Sequence, residues 1–142
     1  MVEFSQTACG ADGFSDGELF ALLEKAVSDV RTGLSKVLIL PPDFTRYHSG
    51  AGKITNYYYH ALTDTCQVDI LPALGTHAPM TEQECAKMYG DIPFDRFLVH
   101  NWRTDVVKLG QVPAAFVNQV SEGLMNEAID VEVNRRLLDP SY

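Results

Sequence analysis

The chain has 142 residues, of which 46% are hydrophobic and 21% charged, and its net charge is -8. A chain of this size and composition can form one ordinary globular domain, which excludes a disordered chain and a disulfide scaffold. The excess of acidic side chains repels nucleic acids and anionic membrane surfaces, so neither is expected as a partner.

The three cysteines, Cys9, Cys66 and Cys85, are widely spaced and odd in number. This usage fits a reducing compartment better than a secreted disulfide framework. The N-terminal residues Met1–Phe4 lack the basic-then-apolar order of a signal peptide. No apolar run approaches the ~20 residues of a membrane span. We therefore expect a cytoplasmic protein without a membrane partner.

The first predicted elements are a loose lead-in over residues 1–14, a helix and a strand. Apolar residues recur at helical spacing from about Asp16 to Arg31. The continuously apolar stretch Val37–Leu40 then predicts a strand inside a parallel sheet. Pro41-Pro42 ends this strand because proline has no backbone N–H to donate.

The same order of strand, loop and helix is predicted twice along the chain. A helix over residues 51–64 precedes an apolar strand over Val68–Leu74, which leads through a second loop to a helix at Thr81–Tyr89. Thr81 and Glu84 have the spacing of a capping box, which marks the start of that helix.

Further strands and a helix are predicted in the rest of the chain. Phe94–His100 is expected to be a third strand of the same sheet, with His100 beginning a polar cluster at its end. A short strand or hairpin up to Val112, a helix over Ala114–Glu122 and a strand with a helical turn from Val131 should follow. Residues 15–142 are therefore expected to form one α/β domain, a Rossmann-like three-layer sandwich with a mostly parallel sheet.

Two polar loops follow the first two predicted strands, Asp43–Arg46 and Gly75–His77. Because the carboxyl ends of parallel strands open on one edge of a sheet, where such sheets bind ligands, both loops should face one crevice. Histidine can exchange a proton near neutral pH, and the planar fork of arginine can bind a carboxylate or phosphate. Aspartate can orient an imidazole or accept from ribose hydroxyls. These residue types leave open whether the crevice is catalytic or only binds a ligand.

The order of these motifs resembles the N-terminal domain of the lactate racemase family, the racemases and epimerases that depend on a nickel pincer nucleotide. The likeness covers roughly residues 37 to 138. It rests on Asp43-x-Thr45-Arg46, Gly75-Thr76-His77, Met80–Glu84, Asn101–Asp105, Gly110–Pro113 and Val131–Arg135.

The resemblance implies an isomerase that inverts a small 2-hydroxy acid by moving a hydride to a nickel pincer nucleotide and back. It implies that His77 is the general acid/base on the substrate hydroxyl. It also implies that Arg46 places the substrate carboxylate or the histidine, and that Asp43, Thr45 and the turn Gly75-Thr76 border the nucleotide.

The sequence also departs from the family pattern. A second catalytic histidine, the lysine that bonds the cofactor and a nickel-binding histidine lie downstream of the matched region in the family, so no metal ligand is expected here. Ala78 stands where many members have a basic residue. The chain is therefore expected to be inactive alone and to act with a missing C-terminal half.

Two other functions stay open at this point. One is a free-standing module that binds a nucleotide or a small acid without turnover. The other is a structural domain that forms a homo-oligomer. Truncation would expose apolar surface, which favours self-association.

Overall fold

The structure is a computed structural model that describes residues 5–28 and 30–142. It divides into two compact units, unit 1 with Met1–Val99 and Ser141–Tyr142, and unit 2 with His100–Pro140. Residues Met1–Phe4, which belong to the predicted lead-in and on which the expected lack of a signal peptide rests, lie outside the described residues. Asp29 of the first predicted helix also lies outside them.

Unit 1 alternates helices and strands in the predicted order, with slightly different ends. The confirmed elements are α1 (Asp16–Ser28), β1 (Lys36–Ile39), α2 (Ala51–Leu62), β2 (Gln67–Ile70) and α3 (Glu82–Tyr89). Two 3₁₀ helices complete the unit, the first at Phe44–Ser49 and the second at Phe94–Arg96.

β1 and β2 form a parallel pair, as the connection through α2 requires. An isolated parallel bridge joins Pro42 to Ala73 beyond the ends of both strands. A second isolated bridge joins Ile70 of β2 to Phe97. The loops after β1 and β2 therefore start from the same edge of the sheet.

The predicted third strand, Phe94–His100, is wrong for most of its length. Its first three residues form the second 3₁₀ helix after Pro93, and Phe97 makes the single bridge to β2. Phe94 and Phe97 are three residues apart, which suits a turn of 3₁₀ helix as well as an apolar strand. Proline ahead of them favours the helix, since its φ is already near the helical value.

The core of unit 1 surrounds β2. Val68 and Ile70 are 2% and 0% exposed, and side chains of α1, α2 and α3 pack around them. Fully burying each large apolar side chain stabilises the fold by about 1.5–3 kcal/mol. The helices α2 and α3 come very close to each other at Gly52. A β-carbon added to Gly52 would lie 2.0 Å from the carbonyl oxygen of Met88. Only glycine permits this approach.

Unit 2 consists of an antiparallel ribbon and a short helix, close to the predicted positions. Its elements are β3 (Val106–Val112), α4 (Ala114–Val120), β4 (Ile129–Asn134) and a third 3₁₀ helix at Arg135–Leu138. A bulge interrupts the pairing between Lys108 and Gly110. The chain thus has a mixed α/β structure with one parallel and one antiparallel pair of strands.

No helix within the described ranges is both long and apolar enough to cross a membrane. The three cysteines are free thiols.

Candidate functional site

The loop after β1 turns directly into the first 3₁₀ helix, and Asp43 is the N-cap of that helix. The Oδ1 atom of Asp43 accepts hydrogen bonds from the backbone N of Thr45 at 3.2 Å and from its hydroxyl Oγ1 at 2.5 Å. Aspartate is favoured at this position because its carboxylate satisfies N–H groups that have no partner inside the helix. The cap therefore fixes one oxygen of the carboxylate toward Thr45.

The loop after β2 is closed by local hydrogen bonds at both ends. At its start, the backbone N of His77 donates to the carbonyl of Leu74 at 3.0 Å, and Gly75 has a φ of 58°. Glycine accepts this left-handed conformation without strain. At the end of the loop, Thr81 and Glu84 form the predicted capping box at the start of α3. His77 is thus held between a tight turn and a helix start.

These two loops bring His77 and Asp43 together. The Nδ1 atom of His77 lies 2.5 Å from Oδ2 of Asp43; the aspartate side chain is 8% exposed and the imidazole 55% exposed. Because an ionised carboxylate only accepts hydrogen bonds, Nδ1 carries the proton and donates it to Asp43. In the part of the chain that the structure describes, Nε2 has no hydrogen-bond partner. In the neutral form of the ring, Nε2 is therefore the basic nitrogen.

Asp43 stays ionised at neutral pH although it is buried. Burial is the largest single influence on the pKa of the Asp43 carboxyl and raises it. The hydrogen bonds from Thr45 and His77, with the attraction of a charged imidazole, act in the opposite direction and outweigh burial, so the pKa of Asp43 is lowered. The carboxylate can therefore hold the imidazole in one tautomer.

Arg46 joins the same hydrogen-bonded group. Its Nη1 donates to Oγ1 of Thr45 at 3.2 Å. Among residues 5–28 and 30–142, no acidic side chain forms an ion pair with Arg46, which is exposed. Its guanidinium is therefore available to an anionic ligand. Gly75 and Thr76 are exposed in the turn beside His77. The structure thus brings together all six residues singled out from the sequence, while their roles stay predictions.

Two side chains of α3 that no sequence pattern indicated also contact these loops. The hydroxyl of Tyr89 donates to the carbonyl of Pro42 at 2.5 Å. The Nζ atom of Lys87 lies 5.6 Å from the ring centre of Phe44 and 5.4 Å from that of Tyr47, within the range of cation–π attraction. Tyr89 and Pro42 are 47 positions apart in sequence, so local periodicity carries no signal for their contact.

His100, expected to begin a polar cluster at the end of the third strand, belongs to unit 2. There the amide Nδ2 of Asn134 donates to Nδ1 of His100 at 2.6 Å, and Oδ1 of Asn134 accepts from the backbone N of Arg136 at 2.8 Å. Asn134 is buried. These contacts indicate a structural role for His100 within unit 2.

The site is an exposed surface rather than a deep cavity. A cavity of about 510 Å³ lies among the first 3₁₀ helix, α2 and α3, and its wall includes Lys53 and Lys87 but neither Asp43 nor His77. Across the described ranges, no three His, Cys, Asp or Glu side chains gather in a way that could hold a metal ion. Among the described residues, the two loops therefore present an imidazole and an exposed guanidinium but no group of metal ligands.

The chain matches the family model described as the lactate racemase N-terminal domain over residues 21–139. Among solved structures, the crystal structure of a protein from Thermotoga maritima matches with a TM-score of 0.74 and 28% sequence identity. This match covers 89% of the present chain and 31% of the Thermotoga chain, so the present chain spans about a third of that protein's length. No curated protein matches the sequence.

Proposed function

Because this chain belongs to the lactate racemase N-terminal domain family, we propose that it is the N-terminal catalytic and cofactor-binding half of a racemase or epimerase of small 2-hydroxy acids. The observation that carries the proposal is the hydrogen-bonded group of His77, Asp43, Thr45 and Arg46. Racemisation of a 2-hydroxy acid requires proton exchange at the substrate hydroxyl and binding of the substrate carboxylate. This group supplies an imidazole for the first and a guanidinium for the second.

In the proposed reaction, Nε2 of His77 takes the proton from the substrate hydroxyl while the α-carbon loses its hydride. In the reverse direction, Nε2 can return a proton to the same oxygen. Asp43 keeps the proton on Nδ1 and stabilises the imidazolium that forms. This assistance needs an ionised carboxylate, which the lowered pKa of Asp43 favours. General acid–base catalysis of this kind contributes about 10²–10⁴-fold to the rate.

Arg46 is proposed to hold the substrate carboxylate with two parallel hydrogen bonds. Its guanidinium is exposed and already oriented by Thr45. Such a pairing fixes the hydroxyl relative to His77, because a bidentate contact limits rotation of the acid. A lysine at this position would supply the charge without the planar geometry.

The nucleotide is proposed to contact Thr45, Gly75 and Thr76. At Gly75 no atom lies within 4 Å of the position that a β-carbon would take, so the backbone is open to a ligand. Asp43 fits this role less well, because both of its carboxylate oxygens already accept hydrogen bonds from Thr45 or His77. Of its two possible roles, orienting the imidazole is favoured over accepting from a ribose.

A nickel pincer nucleotide, when bound, would supply the acceptor for the hydride. The family resemblance places the nickel-binding histidine and the lysine of covalent attachment downstream of the matched region, so we propose that both come from other polypeptide. We propose a C-terminal half as that partner. We also propose that residues 15–142 belong to a Rossmann-like three-layer sandwich. Three free thiols support a reducing, cytoplasmic location.

The test is His77→Ala in a chain that includes the downstream region, assayed for racemisation of L-lactate. Turnover should fall by about 10²-fold or more because the general base is lost. His60→Ala is the matched control, since His60 is an exposed histidine paired with Asp91 at 2.8 Å in the same unit. It should leave turnover unchanged. If His77→Ala turns over normally, His77 is not catalytic; absence of turnover in the wild-type protein would instead support the alternative of a binding module without turnover.

A further inference from the structure

We infer that Tyr89 is a positioning residue, which holds the Asp43–His77 pair in its working geometry through the carbonyl of Pro42. The catalytic importance of the pair rests on the proposed function. The geometric relation between Tyr89 and the pair does not, and it can be tested without any turnover.

Tyr89 is fixed in place independently of its hydroxyl. The residue is 1% exposed, and its ring packs against Phe97 with the ring centres 5.2 Å apart. Its backbone carbonyl accepts a hydrogen bond from Nδ2 of Asn56 in α2 at 2.7 Å. Neither the ring nor the backbone can therefore move far, so the position of the hydroxyl is set by the core of unit 1.

The hydroxyl of Tyr89 donates to the carbonyl oxygen of Pro42 at 2.5 Å. That oxygen and the backbone N of Asp43 belong to one planar peptide group, so fixing the oxygen fixes the direction in which Asp43 leaves the strand. Burial raises the pKa of the Tyr89 phenol, and the nearby Asp43 carboxylate adds to this effect. The phenol therefore stays protonated and keeps donating throughout the pH range in which the pair works.

The helix that carries Tyr89 also determines where His77 lies. α3 begins at the capping box of Thr81, four residues after His77, and ends at Tyr89, which holds the other loop. Two residues earlier in the same helix, Lys87 lies over the rings of Phe44 and Tyr47, which flank Thr45 and Arg46 in sequence. A single rigid helix of eight residues thus connects the two loops, and their separation depends on its two ends.

The test compares Tyr89→Phe with wild type by nitrogen-edited NMR of the proton on Nδ1 of His77. Solvent exchange of this proton measures how often its bond to Asp43 opens. Removing one hydroxyl should make the exchange roughly 3- to 10-fold faster, the range that corresponds to losing one ordinary hydrogen bond. Tyr59→Phe is the matched control, because Tyr59 is a buried tyrosine of the same core cluster, whereas the described hydrogen bond to the Pro42 carbonyl comes from Tyr89. It should leave the exchange rate unchanged.

A second variant, Asn56→Ala, tests the same inference in case Tyr89→Phe does not fold. Asn56→Ala removes the support of the Tyr89 carbonyl and leaves its hydroxyl in place, so it should accelerate exchange in the same direction but less. Unchanged exchange in folded Tyr89→Phe or in Asn56→Ala, or an equal acceleration in Tyr59→Phe, would overturn the inference. If instead the NMR effect is seen but His77→Ala still racemises lactate at the wild-type rate, the catalytic role proposed for His77 fails and the positioning role of Tyr89 stands.

Discussion

The two units of the molecule differ in how well they bury their apolar side chains. Unit 1 gathers nine buried residues into one cluster. Among the described residues of unit 2, Val117 is the one buried apolar side chain. Every residue proposed for the site belongs to unit 1. The difference indicates that the Asp43–His77 pair is built on the part of the chain whose packing can hold it rigid.

The ribbon of unit 2 has one polar and one apolar face. On the polar face, Asp130 accepts from Gln111 at 2.6 Å and pairs with Lys108 at 2.8 Å. On the apolar face, Ile129 and Val131 are 44% and 40% exposed. Two-stranded ribbons are marginally stable in water unless a further layer covers the apolar face. We therefore expect unit 2 to be the less stable of the two.

The largest effect is expected from a substitution that disrupts unit 1 and so reverses the order of stability of the two units. Gly52→Ala places a β-carbon 2.0 Å from the backbone oxygen of Met88, which cannot move without shifting α3. We expect a loss of about 3 kcal/mol in the unfolding free energy of unit 1. The measurement is urea denaturation followed by near-ultraviolet circular dichroism of the tyrosines, all six of which lie in unit 1.

The control for this change is Gly17→Ala in α1. No atom lies within 4 Å of the β-carbon that it adds, so it should leave unit 1 unchanged or slightly more stable. Equal stability of the two variants would show that α2 and α3 are not in the close contact described.

An intermediate effect should be visible in the wild-type protein. The single tryptophan, Trp102, lies in unit 2, so its fluorescence and the tyrosine signals report different units. The Trp102 transition should occur at lower urea than the tyrosine transition, because unit 2 buries less apolar surface. Coincident transitions would mean that the units unfold together and that the comparison between them does not hold for stability.

The smallest expected effect is a change in the acid sensitivity of unit 1. Because the pKa of folded Asp43 is lowered, its stabilisation is present above the unfolded value near ~3.9 and is lost as the pH falls through the folded value. The unfolding free energy of unit 1 should therefore decline below about pH 4, and Asp43→Asn should reduce this decline. Urea denaturation between neutral and acidic pH measures it.

Thr45→Ala offers a graded version of the same test. It removes one of the hydrogen bonds that lower the pKa of Asp43 and leaves the one from His77. Its acid sensitivity should lie between those of wild type and Asp43→Asn. The same decline in all three proteins would show that Asp43 does not contribute to the pH dependence of the unfolding free energy of unit 1.

Local signals were sufficient to predict most elements and the meeting of the site residues. Apolar stretches and prolines indicated β1 and β2, and the spacing of Thr81 and Glu84 indicated the start of α3. The parallel direction of two neighbouring strands then required Asp43 and His77 to leave the same edge. This inference needed no knowledge of side-chain packing.

Features that depend on contacts distant in sequence could not be predicted. The Phe94–His100 segment was ambiguous because its apolar residues suit both a strand and a 3₁₀ helix. The contact of Tyr89 with Pro42 depends on where α3 packs, which residues 81–89 do not specify. The open face of the ribbon likewise depends on what lies against it, and the alternation of Ile129 and Val131 is the same for a covered and an uncovered strand.

The loop that carries His77 has a fixed length between two structured ends. Its ends are set by the turn at Leu74 and the helix start at Thr81, with six residues between them. One inserted or deleted residue would displace the imidazole by up to about 3.5 Å, farther than a hydrogen bond to Asp43 can follow. Homologues in which this segment has another length are therefore expected to have lost or changed the hydrogen bond to the aspartate, even where the histidine itself remains.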